Sequence, residues 1–203
     1  MRSSAASDVY KRQHYLWKSN MQSYQLKYDM EHNTSRNLRI KGGGALHFFT
    51  TIPGSIDNYG VFTHVVPYRL NRRKMLDFAL YGEVEYRFAS RFQLNGGIRL
   101  SALRTPSGPD YGASTFIVPE PRAELSYEVN RNHRLNISFN QASQNLHMLS
   151  NSSVGIPSDM WVPANEKLKP EIMRQFTAGY EWNQSDRNYT FSLEAFYRKT
   201  DHI

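Results

Sequence analysis

Apolar and polar residues alternate one by one through eight stretches of this chain, and each stretch keeps its phase long enough to define two faces. From Leu38 the even positions run Leu38, Ile40, Gly42, Gly44, Leu46 and Phe48, while Arg39, Lys41, Gly43, Ala45 and His47 fill the odd ones. Leu76, Phe78, Leu80, Gly82, Val84 and Tyr86 likewise alternate with Asp77, Ala79, Tyr81, Glu83 and Glu85. The same division runs through segments beginning near Phe92, Arg122, Leu135, Phe176 and Tyr189, and through Tyr24, Leu26, Tyr28 and Met30 near the start. A period of two places alternate side chains on opposite faces of a strand, whereas a helix would mix these apolar and charged residues around every turn. Eight strands are therefore predicted.

The connections alternate in length. Short turns are predicted at His32–Arg36, Phe88–Arg91, Asn130–His133 and Asn183–Asn188, with long polar stretches between them at Thr51–Lys74, Arg104–Phe116 and Asn145–Glu171. Tight turns at one rim and extended loops at the other are the build of an outer-membrane barrel. Segments of about ten residues also suit a tilted membrane-spanning strand better than the shorter strands of a sandwich. Pro53, Pro67, Pro106, Pro109, Pro157, Pro163 and Pro170 fall in the long stretches, and Pro119 and Pro121 are expected to open a strand, so no proline is expected inside one. Aromatic residues gather beside the short turns, at Tyr86, Phe88, Phe92, Tyr127, Trp182 and Tyr189, as an interfacial girdle would require. The expected fold is all-β: an antiparallel up-and-down transmembrane β-barrel segment of about eight strands, incomplete and open.

Composition narrows the function without naming it. A mean hydropathy of −0.64 excludes helical membrane spans but not a barrel, in which only every second strand residue meets lipid. The absence of cysteine removes disulfides, thiolate metal sites and thiol nucleophiles. A net charge of +7 is spread along the strands and loops without a basic run, so nucleic acid is not an expected partner. The segment 1–13, MRSSAASDVYKRQ, has no apolar core and is no signal peptide. It resembles translated sequencing adapter and is set apart from 14–203, with a short genuine arm as the alternative.

From Pro119 onward the text runs PEPRAELSYEVNRNHRLNISFNQASQNLHMLSNSS, then IPSDMWVPANEKLKPEIMRQFTAGYEW, then YTFSLEAFYRKTDHI. It resembles the distal barrel of TonB-dependent receptors, particularly those carrying a carboxypeptidase-like regulatory domain ahead of a plug. The looser matches YQLKYDMEH and ALYGEVEYRFASRFQLNGGIRLS extend the likeness over about Tyr15–Ile203. The resemblance implies uptake of a scarce ligand such as a siderophore or glycan across the outer membrane of a Gram-negative bacterium. It further implies as partners the receptor's own plug domain, the TonB complex, outer-membrane lipid and a surface lipoprotein. The family's signal peptide, TonB box, plug and closing strand do not occur in these residues, so a barrel fragment is expected.

No catalytic set or cofactor site emerges. Seven histidines are dispersed without metal-ligand spacing, with His47 expected in the lumen. Glu83 and Glu85 share a face and imitate an acid/base pair, but a solvated lumen wall accounts for them, and for Arg99, more simply. Gly42, Gly43 and Gly44 lack the strand-loop-helix setting of a phosphate loop, so bending or close packing is expected of them. The residues expected to meet an extracellular ligand are Tyr111, Asp159 and Trp161, aromatic and polar groups on outer loops. Trp161 has an equally ordinary use in folding its own loop. Two readings of another class stay open: a structural or adhesive outer-membrane barrel without transport, and a soluble carbohydrate-active β-sandwich.

Overall fold

The structure, a computed structural model, describes residues 15–58, 68–109, 111–149, 160–184 and 189–202. The adapter-like segment 1–13 lies outside them. Eleven strands are present among the described residues: β1 (Tyr15–Ser35), β2 (Leu38–Asn58), β3 (Tyr68–Arg69), β4 (Arg73–Phe88), β5 (Phe92–Thr105), β6 (Ser114–Asn130), β7 (His133–Gln144), β8 (Leu146–Leu149), β9 (Met160–Pro163), β10 (Glu171–Gln184) and β11 (Tyr189–Asp201). The eight long ones form one antiparallel sheet in the order β1-β2-β4-β5-β6-β7-β10-β11, while β3 adds two residues to β2 and β8-β9 is a separate hairpin. Apart from these short additions, every long strand pairs with the long strands next to it in sequence, which is an up-and-down meander left unclosed.

The register follows the alternation. Leu26 faces Leu46, Leu46 faces Phe78, Leu80 faces Leu100, Leu94 faces Leu125, Leu125 faces Ile137, Phe139 faces Phe176 and Phe176 faces Tyr197. An apolar row thus continues across all eight strands, because a slip of one residue would turn an entire strand inside out. Most of these side chains are exposed, at 71% for Leu26, 51% for Leu80 and 66% for Tyr197, and Leu125 and Phe139 are half-buried. Among the described residues no second sheet covers them. A soluble two-layer sandwich would bury them. Opposite the apolar row lies a charged one: Arg39 reaches Glu31 at 3.3 Å and Glu85 at 3.4 Å, Arg122 reaches Glu83 at 3.1 Å, and Arg99 lies 3.6 Å from Glu120. The apparent acid pair Glu83 and Glu85 is thereby split between two arginines.

The strands are longer than the alternation predicts, and the prolines are the reason the extensions were missed. β2 runs on to Asn58 through Pro53, and Pro119 and Pro121 stand in the interior of β6. The expectation that no proline sits inside a strand is therefore overturned. Pro53 occupies a register shift against β1, and the pairing of β2 with β4 ends at Thr51, so its missing N–H is not needed there. Pro119 and Pro121 point their backbone groups toward β7, as the 2.7 Å bond from Gln141 Nε2 to the Pro119 carbonyl shows. Pairing between β6 and β7 accordingly begins only at Arg122–Asn140. Above that point Ser143, left without a β6 carbonyl, donates its backbone N–H to Glu120 Oε1 at 3.2 Å, and its hydroxyl bonds to the same oxygen.

Of the short turns, Asn130–His133 forms as expected, with the Asn132 N–H bonded to Asn130 Oδ1 at 2.9 Å. The first turn is displaced to Arg36–Asn37, because Asn33 and Ser35 stay in the ladder through a register shift. Between β4 and β5, Ala89 and Ser90 take left-handed backbone angles of 51° and 58°. Beside this turn the expected aromatic girdle is a continuous stack, with Tyr86–Phe88, Phe88–Phe92 and Phe92–Tyr127 centroids 5.8, 5.2 and 4.6 Å apart.

Two outcomes test this arrangement. Leu80→Arg places a cation on the outward row and is expected to cost about 2–4 kcal/mol in urea unfolding from phospholipid vesicles, whereas Ser126→Arg on the inward row costs roughly 0.5 kcal/mol or less. Ala89→Gly relieves the left-handed backbone of the turn and stabilises by about 1 kcal/mol in the same assay.

Candidate functional site

The inner face divides into two levels. Toward the short turns, the charged rows line a concave recess of about 480 Å³ bounded by Arg39, Lys41, Glu83, Glu85, Arg122 and Glu124. Glycines shape this wall where a large neighbour must cross it. A Cβ on Gly43 would lie 2.5 Å from the Tyr81 hydroxyl and would also strike the Tyr28 carbonyl, so of the three consecutive glycines this one is required by the tyrosine lying over it. His47 also faces inward, its ring 3.8 Å from that of Phe49.

Toward the long loops the inner face is closed over. The expected loop Asn145–Glu171 does not simply extend outward: β8 and β9 pair from Leu146–Pro163 to Leu149–Met160, and the segment after them folds back against the inner wall. Ala164 is fully buried in a small core with Met75 and Leu103, flanked by Phe49 and Phe116, all inward-facing residues of β2, β4, β5 and β6. The Thr105 hydroxyl, itself fully buried, donates to the Ala164 carbonyl at 2.7 Å. Asn165 then closes a tight turn. Its side chain accepts from the N–H groups of Lys167 and Leu168 at 2.9 and 3.2 Å and donates to the Pro163 carbonyl at 3.2 Å. The phrase ANEKLKPE is thus a latch that holds the loop to the wall before Pro170 releases the chain into β10.

Of the three residues expected to meet a ligand, two are described. Trp161 alternates with the buried Val162 in β9, so it stands on the hairpin face turned away from the wall, beside exposed Met148 across the pair. Tyr111 lies across Gly108, with the Arg73 guanidinium 4.8 Å from its ring centroid. Asp159 lies outside the described residues. The two loops are joined by a residue the pattern did not single out: Glu166 accepts the Gly112 N–H at 3.0 Å, one residue from Tyr111. Arg73, Thr105 and Asn165 were also missed. An Asn five residues before a Pro-Glu was the one local signal available, since Asn side chains cap tight turns.

Such a rim supplies aromatic surfaces, a guanidinium and backbone groups on a fixed inner support. A family model described as TonB-dependent receptor-like β-barrel matches residues 2–203. Among curated proteins nothing matches. The FrpB iron transporter from Neisseria meningitidis (F3-3 variant) superposes with a TM-score of 0.63 at 14% identity, covering 90% of this chain and 28% of that one. The ferric yersiniabactin uptake receptor FyuA from Yersinia pestis gives 0.58 at 14% identity, covering 92% and 29%. The copper transporter OprC gives 0.58 at 14% identity, covering 91% and 30%. At these identities the likeness is one of fold, and the chain spans less than a third of the length of each of these neighbours.

The latch has a measurable strength. Thr105→Val leaves the buried Ala164 carbonyl without a donor and is expected to cost about 1–3 kcal/mol, read as faster amide exchange across 160–165 while exchange in β4 and β5 is unchanged.

Proposed function

Because the chain belongs to the TonB-dependent receptor-like β-barrel family, a family of outer-membrane receptors and transporters and not of enzymes, we propose that it forms one sector of a larger closed barrel that imports a scarce ligand under TonB control. The observation supporting this reading most strongly is the continuous exposed apolar row across eight strands, backed by an inward row of paired charges. An adhesive barrel would need the first row but not an inner wall of paired charges. A plug domain occupying that interior, displaced when TonB engages it, is the arrangement the family membership supports, with the charged recess as its contact wall. A surface lipoprotein over the loops remains part of the same proposal. The similar structures are an iron transporter, a ferric yersiniabactin uptake receptor and a copper transporter. A chelated metal ion is accordingly the ligand class proposed here, with Trp161, Tyr111 and Asp159 meeting it from the outer loops.

The test uses the complete receptor in detergent with ferric catecholate, ferric hydroxamate and copper(II) complexes as probes. One of these is expected to quench Trp fluorescence, with Trp161→Phe removing most of the quench. Tyr111→Ala is expected to weaken binding by roughly tenfold, the scale of one lost aromatic contact. Quenching by none of the three, with the receptor folded, rejects the metal-chelate class. Uptake in cells that does not depend on TonB rejects the energised mechanism.

A further inference from the structure

Several strand cations of this chain are matched with carboxylates, and three beside one another at the long-loop end of β4 and β5 are not. Arg39, Arg99, Arg122 and Arg134 each lie within 4.0 Å of a glutamate oxygen. Even at the far end of the sheet, Arg174 and Lys199 share Asp201. At the long-loop end of β4 and β5 the pattern stops. Lys74 and Arg104 belong by alternation to the outward row, above Leu76 and Leu100, while their neighbour Arg73 turns inward to Tyr111. Both are exposed, as is Arg72 just before β4. Among the described residues none of these three takes part in a salt bridge or a side-chain hydrogen bond.

Register brings the charges together. Arg104 pairs with Leu76, which makes Lys74 its diagonal neighbour, at about 7–8 Å between backbones. The residues directly opposite are Thr50 for Lys74 and Thr115 for Arg104, so the outward positions around the cations offer hydroxyls and no carboxylate. Immediately below lies the apolar row, with Leu76 and Leu100 exposed. Like charges held side by side at the edge of a hydrocarbon-facing surface repel unless an anion sits between them. Guanidinium, ammonium and hydroxyl donors in one patch are what a phosphate monoester or diester accepts from.

We propose that Arg72, Lys74 and Arg104, with Thr50 and Thr115, bind the phosphate groups of an anionic lipid headgroup in the outer leaflet, fixing the height of this sector of the barrel in the bilayer. The occupant is a lipid and not the imported ligand, because the patch faces away from the lumen and is continuous with the apolar band. The inference rests on the membrane placement proposed above. A cation row on this rim and an aromatic stack on the other give the outward face two chemically different ends.

The complete receptor is reconstituted into phosphatidylcholine nanodiscs with and without diphosphorylated lipid A, and lipid retained after detergent extraction is counted by native mass spectrometry. The wild type is expected to retain lipid A selectively, less so as salt is raised. The double variant Lys74→Gln/Arg104→Gln is expected to lose roughly tenfold or more of that retention, the scale of two surface cations near an anionic leaflet, while inward Lys27→Gln loses none. Equal retention by the double variant overturns the proposal, and so does displacement of the lipid by inorganic phosphate alone, which would make the patch a free-anion site. Failure of the wild type to enter phosphatidylcholine discs overturns the membrane placement, and this inference with it. Since the two side chains hold no partner among the described residues, unchanged circular dichroism is expected of the double variant. Should it misfold, salt dependence of wild-type retention decides alone, and retention insensitive to salt rejects the site.

Discussion

Backbone amides and carbonyls in hydrocarbon have no water to turn to, so every one of them must be satisfied within the sheet. That constraint dictates most of what is seen here. It demands long antiparallel ladders, and where one lapses, as between β6 and β7 beside Pro119, side chains of the sheet take its place. Once the ladders are fixed, alternation assigns each side chain to lipid or lumen, and register locks because any slip would exchange the two rows on a whole strand. The aromatic stack from Tyr86 to Tyr127 then marks where the ladder leaves hydrocarbon at the short-turn rim.

The inner face obeys a different economy. With water on one side, charges there need partners but not complete burial, and the paired arginines and glutamates give a wall that is polar yet close to neutral. Only beneath the long loops does the inner surface become a core in the ordinary sense, with Met75, Leu103 and Ala164 shut away from solvent by the chain's own returning loop. The loop keeps this position through one buried hydroxyl, one asparagine turn and one carboxylate, so Trp161 is carried on a support tied to the strands themselves.

The eight long strands, their order and the facing of each row were legible because a period of two survives in any sequence that must present lipid to one side and water to the other. The rim was legible only in part. Tyr111 and Trp161 stand out as aromatic residues in polar loops, but their placement depends on Thr105, Ala164 and Glu166, whose roles arise from contacts 54–59 residues apart in the chain. Nothing local announces such contacts. Proline misled for a related reason. Whether Pro53, Pro119 or Pro121 breaks a strand depends on which neighbour lacks a ladder at that height, and that is a property of the sheet and not of the residue.

Pro119 and Pro121 also leave a mark on the wall as a whole. Below Arg122 the sheet is a single fabric; above it, β6 leans on β5 and β7 on β10, with Gln141 and Glu120 stitched across the slit. Parting the two panels at the mouth would sacrifice a few side-chain bonds and no rung of the ladder beneath. At that height the two imino acids hand the seam between β6 and β7 over from backbone rungs to side-chain bonds.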